Sequence, residues 1–576
     1  MPRPVRVWAP RAARVDLLLG DERLPMGRDG EHFTVEVDAP DGTGYAFSLD
    51  GGDPLPDPRG LRMPDGPHGR SALYDPAAFT WSDDAWAGLP LEGAVVYELH
   101  VGTFTPEGTL DAAAGRLDHL VDLGVTVVEL MPVSPFPGRH GWGYDGVAPY
   151  AVHEPYGGPE ALQRFVDTAH ARGLAVCLDV VYNHLGPDGN MLGSFGPYLT
   201  DTHATPWGDA INLDAPGSDE VRRWVVDNVR QWLEDFHLDG LRLDAVHELR
   251  DGRATHVLEE MSREADAVAA RTGRPRWLIA ESDRNDPGTV TPRGEGDAVG
   301  GLGLHGQWVD DVHHALHVAL TGETQGYYAD FADPAALGTV LRSPFFHAGT
   351  WSSFRGRSHG RPVDAATVPG WRFVASLQTH DQVGNRATGD RLSQLVGPDL
   401  LACGAALLLT APWTPMLFMG EEWGAGTPWQ FFTDHTDPAI AEGTRRGRRA
   451  EFGSHGWAEE DVPDPQDPVT MERSRLDWDE PVREPHARLL RWYRDLIALR
   501  RSVPALHDSD LTRTDVTWDP ASRQLVSRRG DHRVLVNLGD EPLVHEASSV
   551  ALAWDDLPVV AGAVTVPPRC AAVVRA

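Results

Sequence analysis

The sequence contains no lysine, because all 51 of its basic residues are arginine. Mechanisms that need a lysine amine are therefore excluded, among them Schiff-base chemistry, pyridoxal phosphate attachment and the GK[ST] phosphate loop. A biased genome can also produce this absence, so it serves here only to exclude these classes of protein.

Cysteine is also scarce, with three widely spaced residues, Cys177, Cys403 and Cys570. An odd, scattered set does not form a disulfide framework. Cys177 lies in an apolar strand pattern and Cys403 in an apolar helix pattern, so we expect reduced core residues and a cytoplasmic location. The opening MPRPVRVWAP lacks the apolar segment of a secretory signal, which agrees with that location.

Long apolar runs and an excess of basic residues are missing as well. The apolar stretch LLACGAALLLTAPW is shorter than the roughly 18 residues of a membrane-spanning helix. A net charge of −34 argues against a nucleic-acid partner, because neutralising phosphates needs a basic surface. We therefore predict no membrane and no nucleic acid as partners.

The patterns that are present divide the chain into three parts. Residues 1–90 are short alternating segments between turn residues, which predicts an N-terminal β-sandwich. Residues 508–576 return to this pattern and predict a C-terminal antiparallel β-domain, also a sandwich. Residues 91–507 instead alternate apolar strand candidates with helical stretches. We therefore predict a multidomain protein.

The middle part contains eight strand candidates, at 94–102, 125–133, 174–184, 238–246, 277–283, 305–311, 373–381 and 414–423. Helical patterns separate them, such as SDEVRRWVVDNVRQWLEDF with Ser218 as the predicted N-cap. Eight successive βα units predict a (β/α)8 TIM barrel with insertions, one of them around residues 425–485.

Polar residues follow one end of several predicted strands. The fourth strand carries Arg242, Asp244 and His247 in an apolar run, and an unpaired buried charge is costly. A structural Arg–Asp pair would explain one such stretch. It does not explain the repetition at the strand ends, where a barrel of this kind carries its chemistry. The residues at these ends are Asp179, Asn183, His184, Arg242, Asp244, His247, Glu281, Asp310, Asp311, His313, His314, His380, Asp381 and Gln382.

Glycoside hydrolysis requires two such carboxyl groups across the scissile bond, one ionised and one protonated. Arg242 lies two residues before Asp244, on the same side of the strand, where its charge favours Asp244 as the ionised nucleophile. Glu281 follows the apolar WLIA with no basic neighbour, so we expect desolvation to raise its pKa and make it the acid. Three tryptophans on predicted mouth loops are candidates for stacking on sugar: Trp142, Trp207 and Trp308.

Metal binding is the rival use of the same residue types. His313, His314 and His317 have near-helical spacing, yet no pattern matches a zinc template such as HExxH. We therefore predict no catalytic metal and no other cofactor, while a structural calcium near Asn183 stays open.

Four segments in order along the chain carry a family resemblance: DVVYNH (179–184), GLRLDAVH (240–247), LIAES (278–282) and QTHDQ (378–382). At these residues the sequence resembles the α-amylase family of glycoside hydrolases. The resemblance implies that Asp244 is the nucleophile and Glu281 the general acid/base. It also implies that Asp381 stabilises the transition state through sugar hydroxyls and that the N-terminal domain is similar to carbohydrate-binding modules.

Longer segments are similar to a trehalose-releasing subgroup of that family, among them GLHGQWVDDVHHALHVALTGETQGYYADF and HDQVGNRATGDRL. Its members hydrolyse the α-1,4 bond that joins a maltooligosyl chain to a terminal trehalose. The resemblance implies a role in trehalose biosynthesis, maltooligosyl trehalose and trehalose as ligands, and a partner synthase that supplies the substrate. The implied sugar contacts are Tyr144, His184, Arg242, His247, Asp310, Asp311, His313, His314, His380, Gln382 and Asn385.

Two other functions stay open. A glycogen branching glucanotransferase shares the opening segments and passes the glycosyl intermediate to a sugar hydroxyl instead of water, but such enzymes usually carry Glu where this chain has Gln382. A catalytically silent glucan-binding protein is the second alternative. The presence of Asp244, Glu281 and Asp381 together argues against it.

Overall fold

The computed structural model describes residues 2–294, 300–453 and 461–576. At its centre is a closed barrel of eight parallel strands, which we number one to eight in chain order. They are Val96–Leu99, Val127–Leu130, Ala175–Val180, Gly240–Leu243, Trp277–Ala280, Gly306–Trp308, Phe373–Ser376 and Thr414–Phe418. Each lies within one of the eight predicted segments, so the predicted barrel is confirmed.

The register of the barrel aligns charged residues in its interior. Asp179 of strand three pairs with Arg242 of strand four, and Glu98 of strand one pairs with Glu129 of strand two. All four side chains are buried. Because side chains at one level of neighbouring parallel strands point to the same side, these residues form a polar layer inside the barrel.

Strand four begins at a glycine because the neighbouring strand leaves no room for a side chain. A Cβ added at Gly240 would lie 1.9 Å from the ring of Trp277 in strand five. The two strands pair in parallel from Gly240 with Trp277 to Leu243 with Ala280, so Asp244 and Glu281, which follow them, lie at one mouth.

Helices surround the barrel. The longer ones are Gly158–Ala171, Ser218–Arg230, Val257–Thr272, Asp310–Thr321, Pro398–Leu409 and His486–Ser502. The prediction of Ser218 as an N-cap is wrong by one residue, because Gly217, at φ 86°, holds the cap position. Shorter helices are Val101–Phe104, Leu110–Ala114, Leu117–Leu123, Leu192–Phe195, Ala336–Val340, His380–Gly384 and Leu392–Leu395.

The insertion after strand eight contributes two helices, Pro438–Gly453 and Pro468–Arg473. Part of the predicted insertion, residues 454–460, lies outside the described residues. Two small hairpins extend other loops: Leu199–Thr205 with Gly208–Ile211, and Thr350–Ser352 with Arg357–His359.

Antiparallel sheets flank the barrel at both ends of the chain. The N-terminal strands are Arg3–Trp8, Val15–Leu19, Glu22–Pro25, Gly27–Asp29, His32–Val37, Gly44–Leu49, Pro54–Leu55 and Ser71–Ala72. The C-terminal strands are Asp515–Asp519, Gln524–Arg529, His532–Asn537, Leu543–Glu546, Ser549–Ala553, Ala563–Val566 and Cys570–Arg575. The multidomain fold class is thus confirmed, while the domain boundaries near residues 90 and 508 stay predictions.

Charged residues close the N-terminal end of the barrel, and we call Asp83, His170, His237, Asp239 and Arg274 the floor cluster. His170 Nδ1 lies 2.9 Å from Asp83 Oδ2, and its Nε2 lies 2.9 Å from Asp239 Oδ2. Each ring nitrogen of His170 therefore has a carboxylate oxygen within hydrogen-bond distance. His237 and Arg274 also contact Asp83, each at 2.9 Å.

The cysteines are free and buried. In the described part of the chain, every helix is too short or too polar to cross a membrane.

Candidate active site

The opposite end of the barrel carries a second set of charges, and we call Asp179, Arg242, Asp244 and Glu281 the mouth cluster. Arg242 Nη1 donates to Asp244 Oδ1 and to Asp179 Oδ2, each at 2.8 Å. Its Nη2 lies 3.6 Å from Glu281 Oε2. One buried guanidinium therefore contacts three carboxyl groups.

Asp244 stands where strand four ends. Besides Arg242, Asn183 Nδ2 donates to its Oδ2 at 2.8 Å. The Asp244 side chain keeps 11% of its surface exposed, whereas that of Arg242 keeps 1%. A charge-assisted donor and an amide donor thus bond to one carboxylate oxygen of Asp244 each. The remaining exposure leaves Asp244 open to a ligand in the mouth.

Glu281 follows strand five, and its surroundings correct the sequence analysis. The expectation that it has no basic neighbour is wrong, because Arg242 contacts it. Burial nevertheless raises the pKa of Glu281 to about 8, against the opposing charge of Arg242 and with support from the charge of Asp244. A carboxyl group with this pKa is protonated at neutral pH and can donate its proton.

A strained turn links the two carboxyl groups. Ala245, directly after Asp244, has φ 38° and ψ 52°, in the left-handed region that residues other than glycine rarely adopt. The turn directs the Ala245 N–H to Glu281 Oε2, at 2.5 Å. Since Oε2 accepts this bond, Oε1 is left to carry the proton.

A chain of hydrogen bonds runs from the mouth cluster across the barrel. The Tyr144 hydroxyl donates to Asp179 Oδ2 at 2.6 Å and lies 2.8 Å from His380 Nε2. His380 Nδ1 lies 2.5 Å from Glu98 Oε1, and the His380 N–H donates to Glu98 Oε2 at 3.0 Å. Burial alone would lower the pKa of His380, but Glu98 raises it to about 9.

Sequence reasoning missed Glu98, which orients the His380 ring and holds it protonated. The sequence does contain a signal for Glu98. The segment VVYELHVG places this single acidic residue in an apolar strand pattern, just as GLRLDAVH places Arg242 and Asp244 in one. Asp179 was noted only as a strand-end residue. Burial raises its pKa to about 6, against the opposing charge of Arg242.

His184 and Trp207 form one wall beside Asp244. The His184 ring stacks on Trp207 with centroids 4.2 Å apart, and its Nε2 lies 3.0 Å from the Tyr144 carbonyl oxygen. Trp207 is 51% exposed, so its outer face is open to a ligand. The other two tryptophan candidates, Trp142 and Trp308, are buried.

Asp310 and Asp381 lie near Glu281, since both of their charges raise its pKa. Burial raises the pKa of Asp310 to about 7, and the charge of Asp381 adds to the effect. Asp381 is exposed at the start of the helix His380–Gly384. Asn385 Nδ2 donates to Asp381 Oδ1 at 2.8 Å.

Asp311 and His313 form their hydrogen bonds with other parts of the protein. Asp311 Oδ2 accepts hydrogen bonds from Asn285 Nδ2 at 2.9 Å and from the His347 N–H at 2.9 Å. His313 is buried, with Nδ1 2.7 Å from the Leu377 carbonyl oxygen and Nε2 near a tyrosine hydroxyl. Their polar atoms thus bond to the protein, and their sugar contacts stay predictions.

Three further candidates lie around the mouth. His314 is buried and its ring packs at 4.9 Å from Tyr327. Gln382 Oε1 accepts a hydrogen bond from the Thr379 hydroxyl. His247 Nδ1 accepts one from a backbone N–H at 3.3 Å. Their sugar contacts also stay predictions. Among the described residues, no group of three or more His, Cys, Asp or Glu side chains is arranged to hold a metal ion.

Comparison with known proteins identifies the class. Residues 73–193 match the family profile "Alpha amylase, catalytic domain". A crystal structure of a Salmonella typhimurium protein assigned to the alpha amylases is 37% identical, with a TM-score of 0.90 over 100% of this chain and 97% of that chain. A pullulanase from Paenibacillus barengoltzii, 19% identical with a TM-score of 0.70 over 99% and 93%, shares the fold. The molecule is a glycoside hydrolase of the α-amylase class.

Relatives narrow the class to one family. A malto-oligosyltrehalose trehalohydrolase of Arthrobacter ramosus is 56% identical, and the match covers 100% of both chains. Proteins of the same name from Mycobacterium tuberculosis and Saccharolobus solfataricus are 52% and 42% identical, over 96% and 86% of this chain and 95% and 84% of theirs. The chain belongs to the malto-oligosyltrehalose trehalohydrolase family, whose hydrolytic activity serves trehalose metabolism.

Proposed function

We propose that this enzyme hydrolyses the α-1,4 bond between a maltooligosyl chain and a terminal trehalose by a retaining double displacement. The observation that carries the mechanism is the contrast within the mouth cluster. Asp244 receives two strong donors, at 2.8 Å each, whereas burial raises the pKa of Glu281 to about 8. The pair therefore holds one anion and one proton donor.

In the first step Asp244 attacks the anomeric carbon and Glu281 gives its proton to the glycosidic oxygen, so that trehalose leaves. The anomeric carbon is then bonded to Asp244. In the second step Glu281 takes a proton from water, and the water oxygen displaces Asp244. Two inversions return the α-anomer, and both side chains recover their starting protonation states.

The other mouth residues act on the same sugar ring in this proposal. Asp381, which is exposed, accepts hydrogen bonds from sugar hydroxyls as positive charge develops at the anomeric carbon. His380, with a pKa of about 9, is a cationic donor, and Tyr144 stacks on the ring. Exposed Trp207 offers a further stacking surface.

The substrate is proposed from the relatives, because the catalytic groups alone would serve any α-1,4-glucan. A trehalohydrolase needs a supply of maltooligosyl trehalose, so we also propose a synthase as functional partner and the cytoplasm as the location. A branching enzyme from Xanthomonas oryzae is 29% identical over 73% of this chain, well below the trehalohydrolases.

Product analysis on maltotriosyl trehalose tests the proposal. We expect trehalose and maltotriose from the wild type, with no trehalose from Asp244→Asn. Proton NMR of the first-formed maltotriose should show the α-anomer, whereas a β-anomer would exclude covalent attack by Asp244. Longer or branched glucans without free trehalose would instead indicate transfer and overturn the trehalohydrolase assignment.

A further inference from the structure

The insertion after strand eight reaches the short helix His380–Gly384, which carries Asp381. Its helix Pro438–Gly453 directs Arg448 at the turn that follows His380–Gly384. Arg448 Nη2 donates to the Gly384 carbonyl oxygen, and Nη1 donates to Asn385 Oδ1 at 3.4 Å. The insertion is therefore in direct contact with the C-terminal turn of this short helix.

Asn385 connects this contact to the carboxylate. Its Nδ2 donates to Asp381 Oδ1 at 2.8 Å, while its Oδ1 faces Arg448. Within the described part of the chain, this is the one side-chain hydrogen bond that the exposed Asp381 carboxylate receives. Two bonds thus lead from a side chain of the insertion to a carboxylate at the mouth.

Arg448 itself is firmly held. The guanidinium carbon lies 5.1 Å from the ring centroid of Phe431 and 4.6 Å from that of Phe452. Its side chain is 9% exposed and also pairs with Glu451 at 3.4 Å. A cation buried to this degree keeps its partners, because losing them would leave an unsolvated charge.

We propose that Arg448 is a positioning residue for Asp381. Its fixed guanidinium orients the Asn385 amide, and the amide holds the Asp381 carboxylate in the rotamer that meets the sugar hydroxyls. The inference depends on the proposed function only in that Asp381 acts on the sugar of an α-1,4-glucan. It gives the insertion a role in the rate of the reaction.

The test compares kcat and KM of the wild type with those of Arg448→Met and Arg448→Lys, on maltotriosyl trehalose and on maltohexaose. Methionine keeps most of the packing and removes the donors, so we expect kcat to fall about 10- to 100-fold with KM within about threefold. Lysine can still donate to the Gly384 carbonyl and should recover part of the loss. The control is Arg446→Met, on the same helix but 74% exposed, which should leave kcat unchanged.

A double-mutant cycle separates positioning from a general structural role. In an Asp381→Asn background, Arg448→Met should change the residual kcat by less than about threefold, because the group it positions is already lost. An equal fall in both backgrounds would overturn the proposal. Asn385→Ala breaks the same link without touching the insertion, so unchanged kcat in that variant would also overturn it.

An incorrect substrate assignment would give a different kinetic result from an incorrect role for Arg448. If the wild type cleaves maltohexaose but releases no trehalose from maltotriosyl trehalose, the trehalohydrolase proposal fails. The ratio of wild-type to Arg448→Met turnover on maltohexaose would still decide the role of Arg448.

Discussion

Strand four, Gly240–Leu243, has an aspartate at each end, and the two have opposite surroundings. Asp239, in the floor cluster, accepts hydrogen bonds from His170, from Trp86 Nε1 at 2.8 Å and from the Val176 N–H at 2.9 Å. Asp244, in the mouth cluster, accepts from Arg242 and Asn183 and keeps part of its surface exposed.

The difference shows what separates a structural buried charge from a reactive one. In the floor cluster, burial alone would raise the pKa of Asp83, but His237, Arg274 and His170 lower it to about 2. In the mouth cluster, one guanidinium is shared among three carboxyl groups, and burial raises the pKa of Glu281 to about 8. An excess of carboxyl groups over cationic partners leaves protons and lone pairs available for chemistry.

The largest effects should come from replacing each of the two aspartates that flank strand four by asparagine. Asp244→Asn should lower kcat by about 10⁴-fold or more, because the attacking anion is lost, and it should lower the melting temperature less than Asp239→Asn does, because Arg242 keeps its bond to Asp179. Asp239→Asn should lower the free energy of unfolding by about 3 kcal/mol and leave kcat of the folded enzyme within about threefold. Calorimetry and steady-state kinetics on both variants check this. A large loss of kcat in Asp239→Asn would contradict the division between floor and mouth.

Glu281→Gln should lower kcat on maltotriosyl trehalose by about 10² to 10⁴-fold, because no proton reaches the leaving oxygen. Fluoride departs without that proton, so maltosyl fluoride should be consumed within about tenfold of the wild-type rate in the first turnover. The wild-type kcat/KM should fall as the pH rises through about 8, where Glu281 loses its proton. Equal losses on both substrates would count against Glu281 as the acid.

His170→Leu should lower the free energy of unfolding by about 3–5 kcal/mol, because two buried carboxylates lose the hydrogen-bonding partner between them. Urea unfolding measures this. His203→Leu is the matched control, since His203 pairs with Asp214 at 3.0 Å but is 37% exposed, and it should cost less than about 1 kcal/mol. Similar costs for the two variants would remove the distinction between buried and exposed pairs.

The smallest effect is a pH-dependent difference in stability. The pKa of Glu281 is raised from 4.5 to about 8 in the folded state, so its contribution is complete below about pH 4.5 and is lost as the pH rises toward 8. Glu281→Gln avoids this loss and should be more stable than the wild type by about 1–3 kcal/mol at pH 8, with no gain at pH 4.5.

The floor cluster should show the opposite dependence. The pKa of Asp83 is lowered from 3.8 to about 2 by folding, so its contribution is present above about pH 3.8 and lost as the pH falls toward 2. Melting temperatures of the wild type, Glu281→Gln and Asp83→Asn between pH 2.5 and 8.5 compare the two clusters. Parallel curves for all three would refute the opposite signs.

The sequence alone determined the order of the eight strands along the chain. It also determined that the LDGLRLDA segment places one aspartate before strand four and one after it. Alternation of apolar strands and amphipathic helices is a local property, and so is the two-residue spacing that puts Arg242 and Asp244 on one side. Strand ends and family resemblance are enough to propose Asp244, Glu281 and Asp381 as catalytic residues.

Only the tertiary structure decided which charges meet. Arg242 contacts Glu281, which follows the neighbouring strand. Glu98 contacts His380, which lies 282 positions further along the chain. Arg448 contacts Asn385 from the insertion. No local pattern encodes these pairs, because closure of the barrel brings distant segments together. The pKa of each carboxyl group follows from how many donors that closure places within reach and how much water it removes, and neither quantity is a property of a single segment.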